Sequence, residues 1–217
     1  MMDIQPQMLL LSGLSNEESV VKDMVERIIR TKTKNDFVEI EINKMGKIAE
    51  QRDYGGWRIS LIGKIKNTVT PFTIDIGVGD VVFPEKVKRT LNTLLDGFEH
   101  PEIYTYSFES TIAEKFDAML DRLEGNGRMK YFYDIYHLTM TNNFFGKDVK
   151  EAVRATLANR RTRYNDESMK RIKNFVSDTD MVNRWSKFVN DSVKVDLSFE
   201  MVTEQITRFM EPILQVY

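Results

Sequence analysis

No cysteine occurs in the 217 residues, which removes disulfides, thiolate metal sites and thiol nucleophiles and agrees with a reducing compartment. Histidine is nearly as scarce: His100 and His137 are too few for a typical zinc site. Long apolar runs are missing as well. The opening stretch, Met1 to Gly13, has no basic n-region, and its apolar run is far too short for a signal peptide or a membrane span. Internal repeats and low-complexity segments are also absent. Together these absences point to a soluble cytoplasmic protein.

With 41% hydrophobic and 29% charged residues, the chain can bury a sizeable core as one domain or two small ones. Met8 to Leu11 suits a buried strand, and Ser15 followed by Glu18 has capping-box spacing. Val20, Val21, Met24, Val25, Ile28 and Ile29 then repeat at helical spacing up to about Lys32. From Phe37 the period becomes two, with Val38, Ile40 and Ile42 on one face. Lys47 to Gln51, Trp57 to Ile65 and Val69 to Ile76 continue as strands, predicting an antiparallel meander in which Gly55-Gly56 is a turn. In the last strand Phe72, Ile74 and Ile76 share a face, and alternation puts Asp75 on the other. A carboxylate in so apolar a strand is expected to be paired, solvated or bound to a cation. Gly77, Gly79 and Asp80 form the loop after it. Pro84 suits the start of a helix reaching about Leu95, and Ile103 to Tyr106 a short strand.

The stretch from Tyr104 to Leu138 places charged residues on helices whose other faces belong to the core. Over Glu109 to Leu123, Ile112, Phe116, Leu120 and Leu123 form one stripe, bordered by Ala113 and Met119; Glu114, Asp117 and Asp121 fall opposite and are expected to be solvated. Lys115 and Arg122 stack along a border of the stripe, where a long cationic side chain can lie half covered. Gly125, Asn126 and Gly127 end this helix. In the next, Lys130, Asp134 and His137 share a face, while Phe132, Ile135, Tyr136 and Thr139 form the packing side. After Gly146 helices alone are expected, near Lys147 to Thr162, Asp166 to Ser177, Asp180 to Ser192 and Ser198 to Val216. Trp185, Phe188, Phe199, Val202, Ile206, Phe209 and Ile213 form their core. From Lys147 to Lys187 there are eleven Lys or Arg against six Asp or Glu, so with −2 overall the remainder carries about seven negative charges. Arg160, Arg161, Arg163, Lys170, Arg171 and Lys173 then have two readings: solvated helix faces, or a patch that neutralises RNA phosphates.

Tyr106-Ser107-x-Glu109-x-x-x-Ala113-Glu114-Lys115-Phe116-x-Ala118, followed by Arg128-Met129-Lys130-x-x-Tyr133-Asp134-Ile135, resembles the AbiEii/AbiGii nucleotidyltransferase-toxin family. The likeness extends through Tyr54-Gly55-Gly56-Trp57-Arg58, Ile74-Asp75-Ile76-Gly77-x-Gly79-Asp80 and Pro84 to Trp185 and Phe209-x-x-Pro212. The resemblance implies an α+β fold: a nucleotidyltransferase-like, mixed but mostly antiparallel sheet with flanking helices over residues 1–143, then a helical bundle over 144–217. It also implies transfer of a nucleotide from Mg²⁺-bound NTP to an RNA (tRNA in some members) or protein acceptor, and a cognate antitoxin of an abortive-infection system.

On this resemblance Asp75 is the later metal-ligating carboxylate, and Lys115 a point charge for NTP phosphates. Arg128 and Lys130 support nucleotide or acceptor, and Asp134 orients those cations or a hydroxyl. The family also carries a Gly-Gly or Gly-Ser turn and an Asp-x-Asp strand ahead of the region matching Leu9 to Ser15. Here Ile4 to Leu9 stands in that place, Asp3 is the only carboxylate upstream of Leu9, and Pro6 argues against a regular central strand. The chain thus reads as a family member that begins late. Tyr131 also replaces the Asp that commonly follows the lysine. The alternative is a non-catalytic relative that binds RNA or a protein.

Overall fold

The structure, a computed structural model, describes residues 9–11, 16–32, 37–48 and 55–214. Strands β1 (Leu9–Leu11), β2 (Glu39–Ile48), β3 (Gly56–Ile65) and β4 (Thr68–Val78) build a sheet in the order β1-β4-β3-β2. β2, β3 and β4 are the antiparallel meander expected from the alternation, and β1 runs parallel to β4, pairing Leu9 with Ile76. Helix α1 (Glu18–Ile29) supplies Val21, Met24 and Val25 to a core shared with Trp57, Ile59, Leu61 and Ile76. Ser15 lies outside the described residues, as do Asp3 and Pro6; α1 starts behind Glu17 without a side-chain cap.

Lys47 does not begin a strand of its own. β2 runs through it, with a bulge between Ile42 and Lys44. Gly56 is not a turn residue but the first residue of β3, where a Cβ would lie 2.5 Å from the Ile76 carbonyl oxygen, so only glycine fits that close approach.

The segment after Pro84 is not a helix. Strand β5 (Val87–Thr90) forms a two-stranded sheet with β6 (Glu102–Thr105). The Phe83 peptide is claimed by two serines ahead of the next helix: its N–H donates to Ser110 Oγ at 2.8 Å, and its carbonyl accepts from Ser107 Oγ at 2.7 Å and Ser110 Oγ at 2.8 Å. Ser107 also caps that helix, accepting from the Ser110 N–H.

Helices α2 (Phe108–Arg122), α3 (Met129–Thr141), α4 (Gly146–Arg160), α5 (Asp166–Asn174), α6 (Thr179–Phe188) and α7 (Phe199–Leu214) complete the chain. They share one core, with Ile112, Phe116, Phe132, Ile135, Trp185, Phe199, Val202 and Ile206 all buried. Trp185 places its indole N–H on the Leu197 carbonyl, 2.8 Å away. Two compact units result: Met1–Asp80 with Arg89–Ile103, and Val81–Lys88 with Tyr104–Tyr217. The boundary expected after residue 143 falls inside the second unit, because the apolar faces of α2 and α3 pack among the later helices.

Helix α2 is covered on more than its apolar stripe. Asp117, expected in solvent, is 1% exposed, and Arg160 at the end of α4 reaches it: Nη1 lies 3.1 Å from Asp117 Oδ2 and Nη2 3.1 Å from Glu114 Oε1. A carboxylate so desolvated needs a cation beside it. Replacing Arg160 by Met should therefore cost about 3–5 kcal/mol, read as a lowered urea midpoint. The same change at exposed Arg163 should stay within about 0.5 kcal/mol.

Candidate functional site

The loop after α2 sets where α3 begins and which of its residues face α2. A short 3-10 turn, Leu123–Gly125, closes the helix, with Leu123 at φ 46°. Leu123 thus has positive φ but, at ψ −130°, lies outside the left-handed helical region, and the glycines expected to provide that conformation do not adopt it. Asn126 is fully buried and its Oδ1 accepts from the Arg128 N–H at 2.9 Å, fixing the start of α3. Neither an acidic residue nor a side-chain cap occupies the first turn of α3, so the positive end of its dipole is offset by no local carboxylate.

Four predicted site residues meet here. Lys115 on α2 is mostly covered, and its Nζ lies 2.8 Å from Asp134 Oδ2 on α3. Lys130, one turn before Asp134, places its Nζ 3.0 Å from Oδ1 and 2.8 Å from Oδ2. Arg128 stands at the mouth of the same helix, donating from Nη1 to the Tyr131 hydroxyl. His137, predicted on this face, is exposed and stacks on Tyr133. The Tyr133 hydroxyl is pushed above its ordinary pKa by burial and then by the nearby Asp134 charge. Arg122, expected to be half covered beside Lys115, is exposed.

Tyr131 holds the cluster together. The Lys115 ammonium lies 4.7 Å from its ring centre and the Arg128 guanidinium carbon 5.2 Å. Both are within cation–π range. Sequence spacing could suggest the Arg128–Tyr131 pair at i, i+3, but nothing in it brings Lys115 from another helix to the same ring. Two ammonium groups thus share the Asp134 carboxylate and Arg128 lies on the Tyr131 ring, so these contacts hold three cations against one carboxylate, an excess of two positive charges. Such a group can bind a polyanion.

Asp75 belongs to the other unit and has a different partner. It faces Arg58 across the β3–β4 register, Nε and Nη2 each donating to a different carboxylate oxygen at 2.7 Å. Among the described residues no three His, Asp or Glu side chains gather as metal ligands. The described donor set therefore does not fit a two-ion centre, since Asp75 has both oxygens committed to a guanidinium.

The basic run is likewise committed to internal partners. Beyond half-buried Arg160, Lys170 pairs with Glu167 at 2.6 Å, Arg171 with Glu124 at 2.6 Å and Lys173 with Glu211 at 2.5 Å. Arg161 takes the left-handed position that closes α4, and Arg163 is exposed. Residues so matched do not make a continuous phosphate-binding patch.

A family model described as the nucleotidyl transferase AbiEii toxin of a type IV toxin–antitoxin system matches residues 9–205. Two Helicobacter pylori crystal structures are similar to the chain in broad outline. JHP933 is 14% identical with a TM-score of 0.45, covering 95% of this chain and 75% of its own. A protein provisionally assigned as a nucleotidyltransferase is 13% identical with a TM-score of 0.48, covering 95% and 77%. No curated protein matches. No described helix is long and apolar enough to cross a membrane.

The Arg58 guanidinium holds the Asp75 carboxyl below the ordinary carboxylate range, chiefly through the hydrogen-bonded pair. A depressed pKa stabilises the fold above the unfolded value, near about 4, and that stabilisation disappears as pH falls through the folded one. The melting-temperature gap between the parent and Asp75→Asn should thus be full at neutral pH and close progressively below about pH 4. A gap that persists unchanged in acid would show that the pair contributes nothing through ionisation.

Proposed function

The chain belongs to the AbiEii nucleotidyltransferase toxin family, and on that footing we propose that the α2–α3 cation cluster seats the phosphates of a nucleoside triphosphate for transfer of its nucleotide to an RNA or protein acceptor. The observation that carries this reading is the convergence of Lys115, Arg128 and Lys130 on Asp134 and Tyr131. In the transfer an acceptor hydroxyl oxygen bonds to the α-phosphorus, the bridge to the β-phosphate breaks, pyrophosphate departs and the hydroxyl proton is released. Lys115, shielded from water, is the point charge for the phosphates. Arg128 offers a planar fork to phosphate or acceptor, and Lys130 adds charge from the more exposed side. Asp134 orients both lysines and is a candidate acceptor for the hydroxyl proton.

Mg²⁺ accompanies the NTP in the chemistry of such families. The described carboxylates of this chain supply no ligand set for it, so no step runs through the ion. That mismatch favours the second reading, a non-catalytic relative that engages a protein. The cognate antitoxin is the partner expected from the family; RNA is a weaker candidate for the C-terminal helices, given the internally matched basic run.

Titration calorimetry with each of the four NTPs tests the leading reading. One NTP should bind, and Lys115→Ala should weaken it at least about tenfold, as loss of a charge-assisted contact requires. No heat with any of the four overturns it. Transfer of label from an α-labelled NTP to RNA or antitoxin separates the enzyme from the non-catalytic relative.

A further inference from the structure

We propose that the cluster around Tyr131 takes its polyphosphate as the free anion, without a divalent ion, and that Tyr131 is the residue that positions it. The inference rests on the reading that this cluster seats a nucleotide's phosphates, and adds the form in which they arrive. Lys115 and Lys130 lean on the same Oδ2 of Asp134, so one negative charge is divided between two ammonium groups. Arg128 adds a third cation whose described partner is a neutral phenol. A divalent cation brought into this group meets two uncompensated positive charges, and the described contacts offer it one carboxylate, already shared. A triphosphate stripped of its metal carries more negative charge than the metal complex, so the same field draws it more strongly.

Tyr131 makes that arrangement possible. Unlike a carboxylate at the same place, a phenol ring faces two cations without cancelling either, holding Lys115 and Arg128 on a common ring while their charge remains available. Lys115 is the more constrained of the lysines, with 13% of its side chain exposed against 49% for Lys130. The ring and Asp134 therefore preorganise the inner cation before any anion arrives.

The test uses the full chain and inorganic tripolyphosphate beside the four NTPs, each titrated in EDTA and again in excess Mg²⁺. Tripolyphosphate and at least one NTP should bind in EDTA, and Mg²⁺ should weaken both by about tenfold. NTP binding that appears only with Mg²⁺ overturns the inference and leaves the nucleotide reading standing. Tripolyphosphate binding in EDTA with no NTP recognised upholds the free-anion site and removes the nucleotide reading. No binding of either overturns both, and binding undiminished in Lys115→Ala puts the anion elsewhere and overturns the inference. Tyr131→Phe, which keeps the ring, should bind tripolyphosphate within about threefold of the parent, whereas Tyr131→Leu, which keeps apolar bulk alone, should lose about tenfold. Parent-like affinity in the Leu variant overturns the part given to Tyr131.

Discussion

Charges on α2 that have been taken out of water must find partners on other helices, and this requirement organises the second unit. Lys115 is answered by Asp134 on α3, and Asp117 by Arg160 on α4. Losing Arg160 would leave the desolvated Asp117 carboxylate without a cation, a far larger penalty than losing an exposed pair, whereas Asp134 would keep Lys130 if Lys115 were lost. The two pairs therefore do more than add stability. They restrict the rotation of α2 about its axis and its translation against α3 and α4. An ammonium group so restrained is ready for a ligand, since ordering it costs little at the moment of binding.

Much of this was readable from the sequence, and the failures have physical causes. Helical spacing located α1 to α7 within a few residues, and two-residue alternation found the meander. A helical wheel sorts residues against one apolar stripe, however, and α2 is buried on two sides, so Asp117 was placed in solvent. Arg160 was grouped with a basic run for the same reason: its partner is 43 residues away, beyond any local pattern. Pro84 has the look of a first helical residue, yet the preceding peptide is taken by Ser107 and Ser110, an arrangement made by tertiary contacts alone. The composition change after residue 143 is real, but compactness depends on the shared core, which already includes α2 and α3.

The candidate site divides in the same way. Lys115, Arg128, Lys130 and Asp134 were found through likeness to a family pattern and through i, i+4 spacing, and they do meet. Tyr131 was visible only as a departure from that pattern; its role depends on an approach from another helix. Asp75 was correctly singled out as a carboxylate that an apolar strand must satisfy. The cross-strand register then shows that Arg58 on the adjoining strand satisfies it. Periodicity within β4 holds no information about which residue of β3 lies opposite.

The bulge in β2 changes the parity of that strand. Before it, even-numbered Ile40 and Ile42 turn toward the core; after it, odd-numbered Met45 does so and Lys47 lies over the Trp57 ring. Asn43, which has no counterpart on β3, is the extra residue that lets Ile42 and Met45, three apart in the chain, keep to one face. Deleting it would place Ile42 and Met45 two apart, the spacing of a regular strand, so both would still face the core and only the local bend and extra twist would be lost. The bulge can thus lose its one extra residue without reversing the strand, whereas a one-residue slip elsewhere in β2 would turn its downstream side chains to the opposite face.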